Sequence, residues 1–418
     1  MNVLMATNTY VPHVGGVARS VASFTAELRR RGHRVIVLAP VFEGCADDED
    51  DVIRFPALQR YNGTDFSIPV PVPGLLARRI HDVKIDVVHA HHPFLLGDAA
   101  LRVGASRDAP VVFTHHTMYE EYTHYVPGDS PALKRFAIDL VTGYCNLCDA
   151  VIAPSETVAG LLPLRGVTAP VTVIPTGVDV GTLAVGDGAA FRVRNAIPRD
   201  AIVVGHVGRL AREKNLEFLT RAVVRFMREE PRAWFLVVGS GAVEGAIREE
   251  VDEAGLAQRL VLAGVVDWNG LADAYAAMDV FAFASRTETQ GLVLAEAMAA
   301  ALPVVALDAS GVREVLRDGE NGFRVDEESI DSFAQALTLV TRCDERRVAL
   351  SEGARATALL LSKEAMTERL INLYEELASR GASAKSIDDS AWSRARRTFA
   401  EELRILGNIA QAVSGAVL

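Results

Sequence analysis

Glu288 and Glu296 stand eight residues apart in SRTETQGLVLAEAMAA, one on each side of a helix start. Leu292, Val293, Ala295, Ala297 and Met298 favour helix, and Gly291 marks the turn into it. Glu288 is therefore expected in the preceding loop and Glu296 more than a turn inside the helix. The amides near Gln290, Gly291 and Leu292 would lack intrahelical partners at the positive end of the helix dipole, a ready site for an anion. Carboxylates on both sides of a phosphate cradle suit a ligand with hydroxyls at its two ends and phosphate between, such as a nucleotide-sugar. A surface carboxylate beside a solvated helix face is the plainer reading of the same residues.

Other positions favour the first reading. After the strand-like run Ile202–Val207 comes GRLAREKN, with Arg209 and Lys214 five residues apart in a loop ahead of a helix. Loop cations so placed commonly bind phosphate, although a solvated charge cluster is the default for such a run. Near the start, the strand Val3–Ala6 leads to Gly15 and Gly16, which open a helix and let backbone approach a diphosphate closely. Taken together, Gly15-Gly16, His116 in FTHHT, Arg209…Lys214 and Glu288-x7-Glu296 resemble the retaining glycosyltransferases of family 4, from Met1 to about residue 380.

That resemblance implies an α/β chain with the GT-B fold, two Rossmann-like doubly wound domains facing a central cleft. It implies a metal-independent hexosyltransferase in which Arg209 and Lys214 stabilise the departing diphosphate. Amides near Gly16 and Gly291 add to them, Glu288 holds the donor sugar, Glu296 the ribose, and backbone at Val266 reads the base edge. His116 faces the reacting centre, and the leaving phosphate deprotonates the acceptor by front-face attack, so Glu288 is not expected to be a nucleophile. No cofactor is implied, the nucleotide-sugar (a UDP-sugar favoured) being a substrate. Many members have a small residue and an aromatic after the first glutamate, whereas this chain has Thr289-Gln290, a departure that bears on which sugar is carried.

Composition agrees with such an enzyme. At 418 residues, half of them hydrophobic, the chain can bury two ordinary cores. A net charge of −11 argues against generic nucleic-acid binding. The start MNVLMATNTY does not read as a signal peptide, and no run approaches a membrane span. Four cysteines do not make a disulfide framework in a chain of this length, so a reduced, cytoplasmic setting is expected. Cys145 and Cys148, in the helix-like run Arg135–Cys148, form one CxxC that reads as buried structural thiols.

Aliphatic runs alternate with helical patterns along the chain, the mark of parallel sheets covered on both faces. Eleven strands are expected: Val3–Ala6, Val35–Ala39, Val87–Ala90, Val111–Thr114, Ala150–Ala153, Val171–Ile174, Ile202–Val207, Trp234–Val238, Leu260–Ala263, Val280–Ala284 and Val304–Ala306. Gly177–Asp200 breaks the rhythm and reads as a hinge. The expected domains are 1–180 on the acceptor side, 181–365 for the nucleotide-sugar, and 366–418 as a crossing helix with a helical extension. GSGAVEG at Gly239–Gly245 imitates a dinucleotide fingerprint, but its last glycine is one residue late. His89, His91, His92, His115, His116 and His124 crowd the first half, and a polar acceptor pocket is favoured over a metal centre there.

On the acceptor side, His115–Tyr125 (HHTMYEEYTHY, with Tyr119 and Glu120) and Thr64–Pro71 look like the subgroup that glucosylates diacylglycerol. A lipid or a small hydroxyl compound is thus the expected acceptor, with an anionic membrane surface as a further partner. Arg29–Arg31 with Arg34, and Arg78–Arg79 with Lys84, are candidate leaflet contacts, each otherwise a solvated helix end. After residue 385 a helix is expected with Trp392, Phe399, Leu403 and Leu406 on one side, and Arg394, Arg397 and Arg404 elsewhere. Such a stripe usually docks on its own protein or a partner, and less often lies on a membrane. A soluble acceptor, and a noncatalytic nucleotide-sugar-binding scaffold of the same fold, are the competing readings.

Overall fold

A computed structural model describes residues 1–13, 15–45, 50–58, 67–70, 79–121, 130–286, 288, 290–383 and 391–417. The fold forms two compact units, Met1–Pro175 with Met366–Leu418, and Thr176–Ala365.

The first unit holds a seven-stranded parallel sheet in the order β3-β2-β1-β6-β7-β8-β9. Its strands are β1 (Asn2–Ala6), β2 (Arg34–Pro40), β3 (Val52–Phe55), β6 (Val87–Ala90), β7 (Val111–Thr114), β8 (Ala150–Ala153) and β9 (Val171–Val173). Two short strands, β4 (Ala57–Leu58) and β5 (Ile68–Pro69), pair antiparallel apart from it. The second unit holds a six-stranded parallel sheet, β12-β11-β10-β13-β14-β15. These are β10 (Ile202–Val207), β11 (Ala233–Val238), β12 (Leu260–Gly264), β13 (Val280–Phe283), β14 (Val304–Leu307) and β15 (Gly322–Val325).

The apolar runs become strands because both faces of each sheet are covered. Along β13, Phe281 and Phe283 enter one core with Leu236 and Val238, while Val280 and Ala282 enter the opposite core with Phe235 and Val237. Truncating a fully buried ring such as Phe281 should cost about 3–5 kcal/mol. In each unit the strand order reverses beside the first strand, at β1/β6 and at β10/β13, the place where sheets of this kind bind ligands at their carboxyl ends.

All eleven expected strands are present, with ends moved by a residue or two. Sequence reading missed the short pair β4 and β5, and also β3 and β15, edge strands of four residues each, VIRF and GFRV, that carry an arginine and lack a long aliphatic run. Gly177–Asp200 is not a hinge in the structure. It lies within the second unit and contains the helices Val180–Leu183 and Gly188–Arg194. Its glycines serve close packing: a Cβ on Gly186 or Gly188 would lie 2.1 Å from the carbonyl oxygens of Ala272 and Ala276. Arg192 adds a 2.8 Å contact to Asp279. Residues 366–418, expected as a crossing helix with an extension, belong to the first unit, where Tyr374 and Ile405 are buried.

Candidate functional site

In the second unit the chain leaves β10 through Gly208 and meets the turn that follows β11. A Cβ on Gly239, where φ is +130°, would stand 1.9 Å from the oxygen of Gly208, and one on Gly241 2.3 Å from that of Leu210. Gly239 and Gly241 of GSGAVEG therefore let two loops touch, while Gly245 meets nothing within 4 Å. Beyond Gly208 the chain makes a short turn, Arg212–Lys214, closed by Asn215 in the left-handed region at φ +53°. This turn brings the ammonium of Lys214 onto the Oε1 of Glu288, with both side chains about four-fifths buried at 22% and 19% exposure. Arg209 is more open, at 61% exposure, and holds Glu213 at 2.6 Å.

The loop after β13 is held by groups that the sequence reading did not single out. Gly311 N and Ser310 Oγ both donate to the carbonyl oxygen of Glu288, at 3.1 Å each. Gly291 takes φ +69° and caps the helix Leu292–Ala299, whose earliest amide bonded back to the turn is that of Leu294, to Gly291 O at 3.0 Å. The amides before it stand at the positive helix end, as expected for an anion cradle. The Gln290 side chain donates to Thr176 O at 2.8 Å, so a ligand meets its backbone instead. Glu296 is 4% exposed and accepts from the Tyr275 hydroxyl at 3.1 Å. Val266 is part-buried in the turn before Asp267, which caps the next helix through Gly270 N at 2.7 Å. Thr289 lies outside the described residues. His206, also unforeseen, is buried at the end of β10 and bonded through Nδ1 to Ala282 O at 3.1 Å; burial pushes it down to about 4.

In the first unit Gly15 precedes the helix Gly16–Arg30, and a Cβ on Gly16 would meet nothing within 4 Å. That position faces open space and is not demanded by packing. Three imidazoles gather at the ends of β6 and β7. His91 Nδ1 lies 2.9 Å from His116 Nε2, and the rings of His89 and His91 lie 4.1 Å apart, tilted by 33°. His89 is further fixed by Tyr374 OH at 2.6 Å and Thr114 Oγ1 at 2.7 Å. Desolvation, reinforced by mutual repulsion, holds His91 and His116 well below the ordinary value, so both are neutral at pH 7. Among the described residues no three His, Cys, Asp or Glu side chains are grouped to hold a metal ion.

Glu120 departs from its acceptor-side expectation. It is buried, with Oε1 2.5 Å from Arg165 Nη2, and so serves an internal ion pair. Tyr119 packs against the core and meets Phe94 edge-on at 5.4 Å. His124, Tyr125, Thr64–Phe66 and Pro71 lie outside the described residues. Cys145 and Cys148 are buried free thiols in the first-unit core, Cys145 pushed up to about 12 by burial. The leaflet contacts expected near Arg29 are largely spent on internal partners. Arg29 donates to Val35 O, Arg30 and Arg31 to Glu27, and Arg34 to Asp51, while Lys84 pairs with Asp86. Arg78 lies outside the described residues.

Comparison with known proteins agrees with this geometry. The model described as Glycosyltransferase Family 4 matches residues 14–182, and the one described as Glycosyl transferases group 1 matches residues 188–357. The alpha-monoglucosyldiacylglycerol synthase of Acholeplasma laidlawii is 28% identical over 395 residues, covering 90% of this chain and 97% of that protein. The D-inositol 3-phosphate glycosyltransferase of Kineococcus radiotolerans is 30% identical, covering 90% and 93%. Among solved structures, the sucrose-phosphate synthase of Thermosynechococcus elongatus superposes with a TM-score of 0.73 at 21% identity, covering 91% of this chain and 99% of that one. Two Rossmann-like units, the second with cations and carboxylates at its strand ends, make the GT-B fold. The chain belongs to glycosyltransferase family 4 and transfers a sugar from a nucleotide-sugar donor.

Proposed function

We propose that the protein is a retaining, metal-independent hexosyltransferase that carries a sugar from a UDP-sugar to the hydroxyl of a membrane lipid such as diacylglycerol. It would work on the cytoplasmic face of the membrane. The observation that carries the acceptor is the near full-length likeness to an alpha-monoglucosyldiacylglycerol synthase. Lys214 and Arg209, with the amides at the start of the Leu292–Ala299 helix, supply the positive charge that a departing diphosphate needs, which supports a reaction run without a divalent ion. Glu288 would orient the transferring sugar, a role that the hold of Ser310 and Gly311 on its carbonyl supports. Glu296, deep in the helix and bonded to Tyr275, would meet the ribose.

A second reading keeps the reaction and changes the acceptor to a soluble polyol phosphate. It rests on the 30% identity to a D-inositol 3-phosphate glycosyltransferase. A screen of UDP-glucose and GDP-mannose against diacylglycerol in mixed micelles and against D-inositol 3-phosphate separates the two, with the anomer of the product read by NMR. An α-glucosyl lipid, formed undiminished in excess chelator, is the expected product. Transfer only to the inositol phosphate would replace the lipid reading, and strict dependence on a divalent ion would remove the metal-independent one.

A further inference from the structure

The helix Ala391–Val417 presents two unlike faces. Inward, Glu401, Ile405 and Ala412 are buried, and Asn408 donates to Leu140 O at 3.1 Å. The fit is close, since a Cβ on Gly143 would fall 1.7 Å from Asn408 Oδ1. The partner helix is Pro131–Leu147, running antiparallel, because Gly415 packs by Asp139 whereas Glu401 and Arg404 lie with Leu147 and Asp149. Outward, Phe399 is 67% exposed, Leu403 56%, Leu406 54%, Ile409 40% and Val413 50%. These residues recur at helical spacing, so Phe399, Leu403 and Leu406 of the expected stripe turn away from the protein; the Trp392 side chain lies outside what is described.

Charge on this face has the opposite sign to that of the chain as a whole. The carboxylates of the helix are drawn inward or engaged: Glu401 is buried, and Glu402 holds Arg102 at 2.7 Å. Arg396 is exposed beside the apolar stripe, Arg404 is half exposed and holds Glu401 at 2.7 Å, and from Leu406 to Val417 there is no ionisable side chain. Lys134 and Arg135, also exposed, stand on the partner helix near the far end of the stripe. That end lies toward the carboxyl side of the sheet, where β7 delivers His116. The net charge of the chain is −11, so an apolar strip flanked by cations at both ends is a local reversal.

We propose that this face lies on an anionic lipid bilayer, with Phe399, Leu403 and Leu406 at the acyl boundary and the flanking cations among the headgroups. The inference rests on the reading that the acceptor is a membrane lipid, and it assigns the surface that brings the enzyme to it. No described helix is long and apolar enough to cross a membrane, so contact is along the surface.

The test uses full-length protein and cosedimentation with phosphatidylglycerol–phosphatidylcholine vesicles against phosphatidylcholine alone. Binding to the anionic vesicles is expected, weakening as salt rises. L403Q/L406Q should reduce it at least tenfold with the thermal midpoint held, because both side chains already face solvent. Arg396→Glu is the independent probe, expected to weaken binding severalfold and flatten its salt dependence. Release of nucleoside diphosphate from donor without vesicles should be unchanged in all three proteins. Vesicle binding that is absent, indifferent to lipid charge, or intact in both variants would overturn the inference. So would a dimer in solution that L403Q/L406Q splits while vesicle binding persists, since a second copy would then cover the face. If the wild type turned over no donor, the underlying reading would fall instead.

Discussion

The ammonium of Lys214 is bonded to the carboxylate of Glu288 across 74 residues of sequence, joining the loop after β10 to the loop after β13. These loops flank the point where the strand order of the second sheet reverses. A phosphate entering there meets a cation already held in place by a carboxylate, so little reorganisation is needed when charge develops.

Lys214→Ala should lower kcat/KM by about 10²–10³-fold with little change in thermal midpoint, by removing a placed cation from a leaving group. Arg209→Ala should lose less, because its guanidinium is 61% exposed and shared with Glu213. Steady-state kinetics of both variants is the measurement; equal, near-normal rates would contradict the phosphate assignment.

Glu288→Ala and Glu296→Ala should fail in different ways. The first should lower kcat while nucleoside diphosphate still binds, and the second should weaken that binding by about tenfold or more. Tyr275→Phe, which leaves the Glu296 carboxylate short of a donor, should weaken nucleotide binding in the same direction by a smaller factor. Calorimetry with the free nucleoside diphosphate decides, and the reverse pattern would exchange the two roles.

Gly311→Ala should damage catalysis more than stability. The added methyl would lie 2.6 Å from the carbonyl oxygen of Glu288, at a contact that cannot yield without moving that loop. A fall in kcat of about tenfold or more is expected, alongside an unfolding midpoint within a few degrees of wild type. An active Gly311→Ala enzyme would show that Glu288 need not be held so closely.

Acid should destabilise the protein through its buried histidines. Burial holds His89 and His92 near 3 and His115 near 4, against an ordinary value of 6.5, so the folded state takes up their protons later than the unfolded chain does. Above pH 6.5 they contribute no pH dependence. Between 6.5 and about 4 each costs about 1.4 kcal/mol per pH unit. Thermal melts from pH 7.5 to 4.5 should show a flat region and then a decline, and His89→Gln should make that decline shallower.

Strands such as VVHA in β6 and VFAF in β13 were legible because a run buried on both faces is apolar at every position or nearly so. The turn at Gly291 was legible for a similar local reason, since only the helix beyond it needs a glycine-like φ there. What escaped was set by distant contacts. Nothing near Ser310 or Gly311 in sequence says that they hold Glu288, 22 residues earlier in the case of Ser310. Asn8, whose amide donates to His92 Nδ1 at 3.1 Å, joins β1 to the chain after β6 in the same hidden way. The glycines of Gly177–Asp200 looked like flexibility because sequence does not distinguish a glycine that bends from one that admits a neighbour's backbone. For the last helix, apolar spacing located a stripe without saying which way it turns.

The placement of residues 366–418 in the first unit has a consequence for how the chain is made. Tyr374 and Ile405 complete a core begun by residues near the amino terminus, so synthesis must pass the helix Ala391–Val417 before that core can close. The second unit is continuous, and all of it leaves the ribosome earlier. It should reach its native state first, while the unit that precedes it in the chain waits, open and chaperone-accessible, for its last helix.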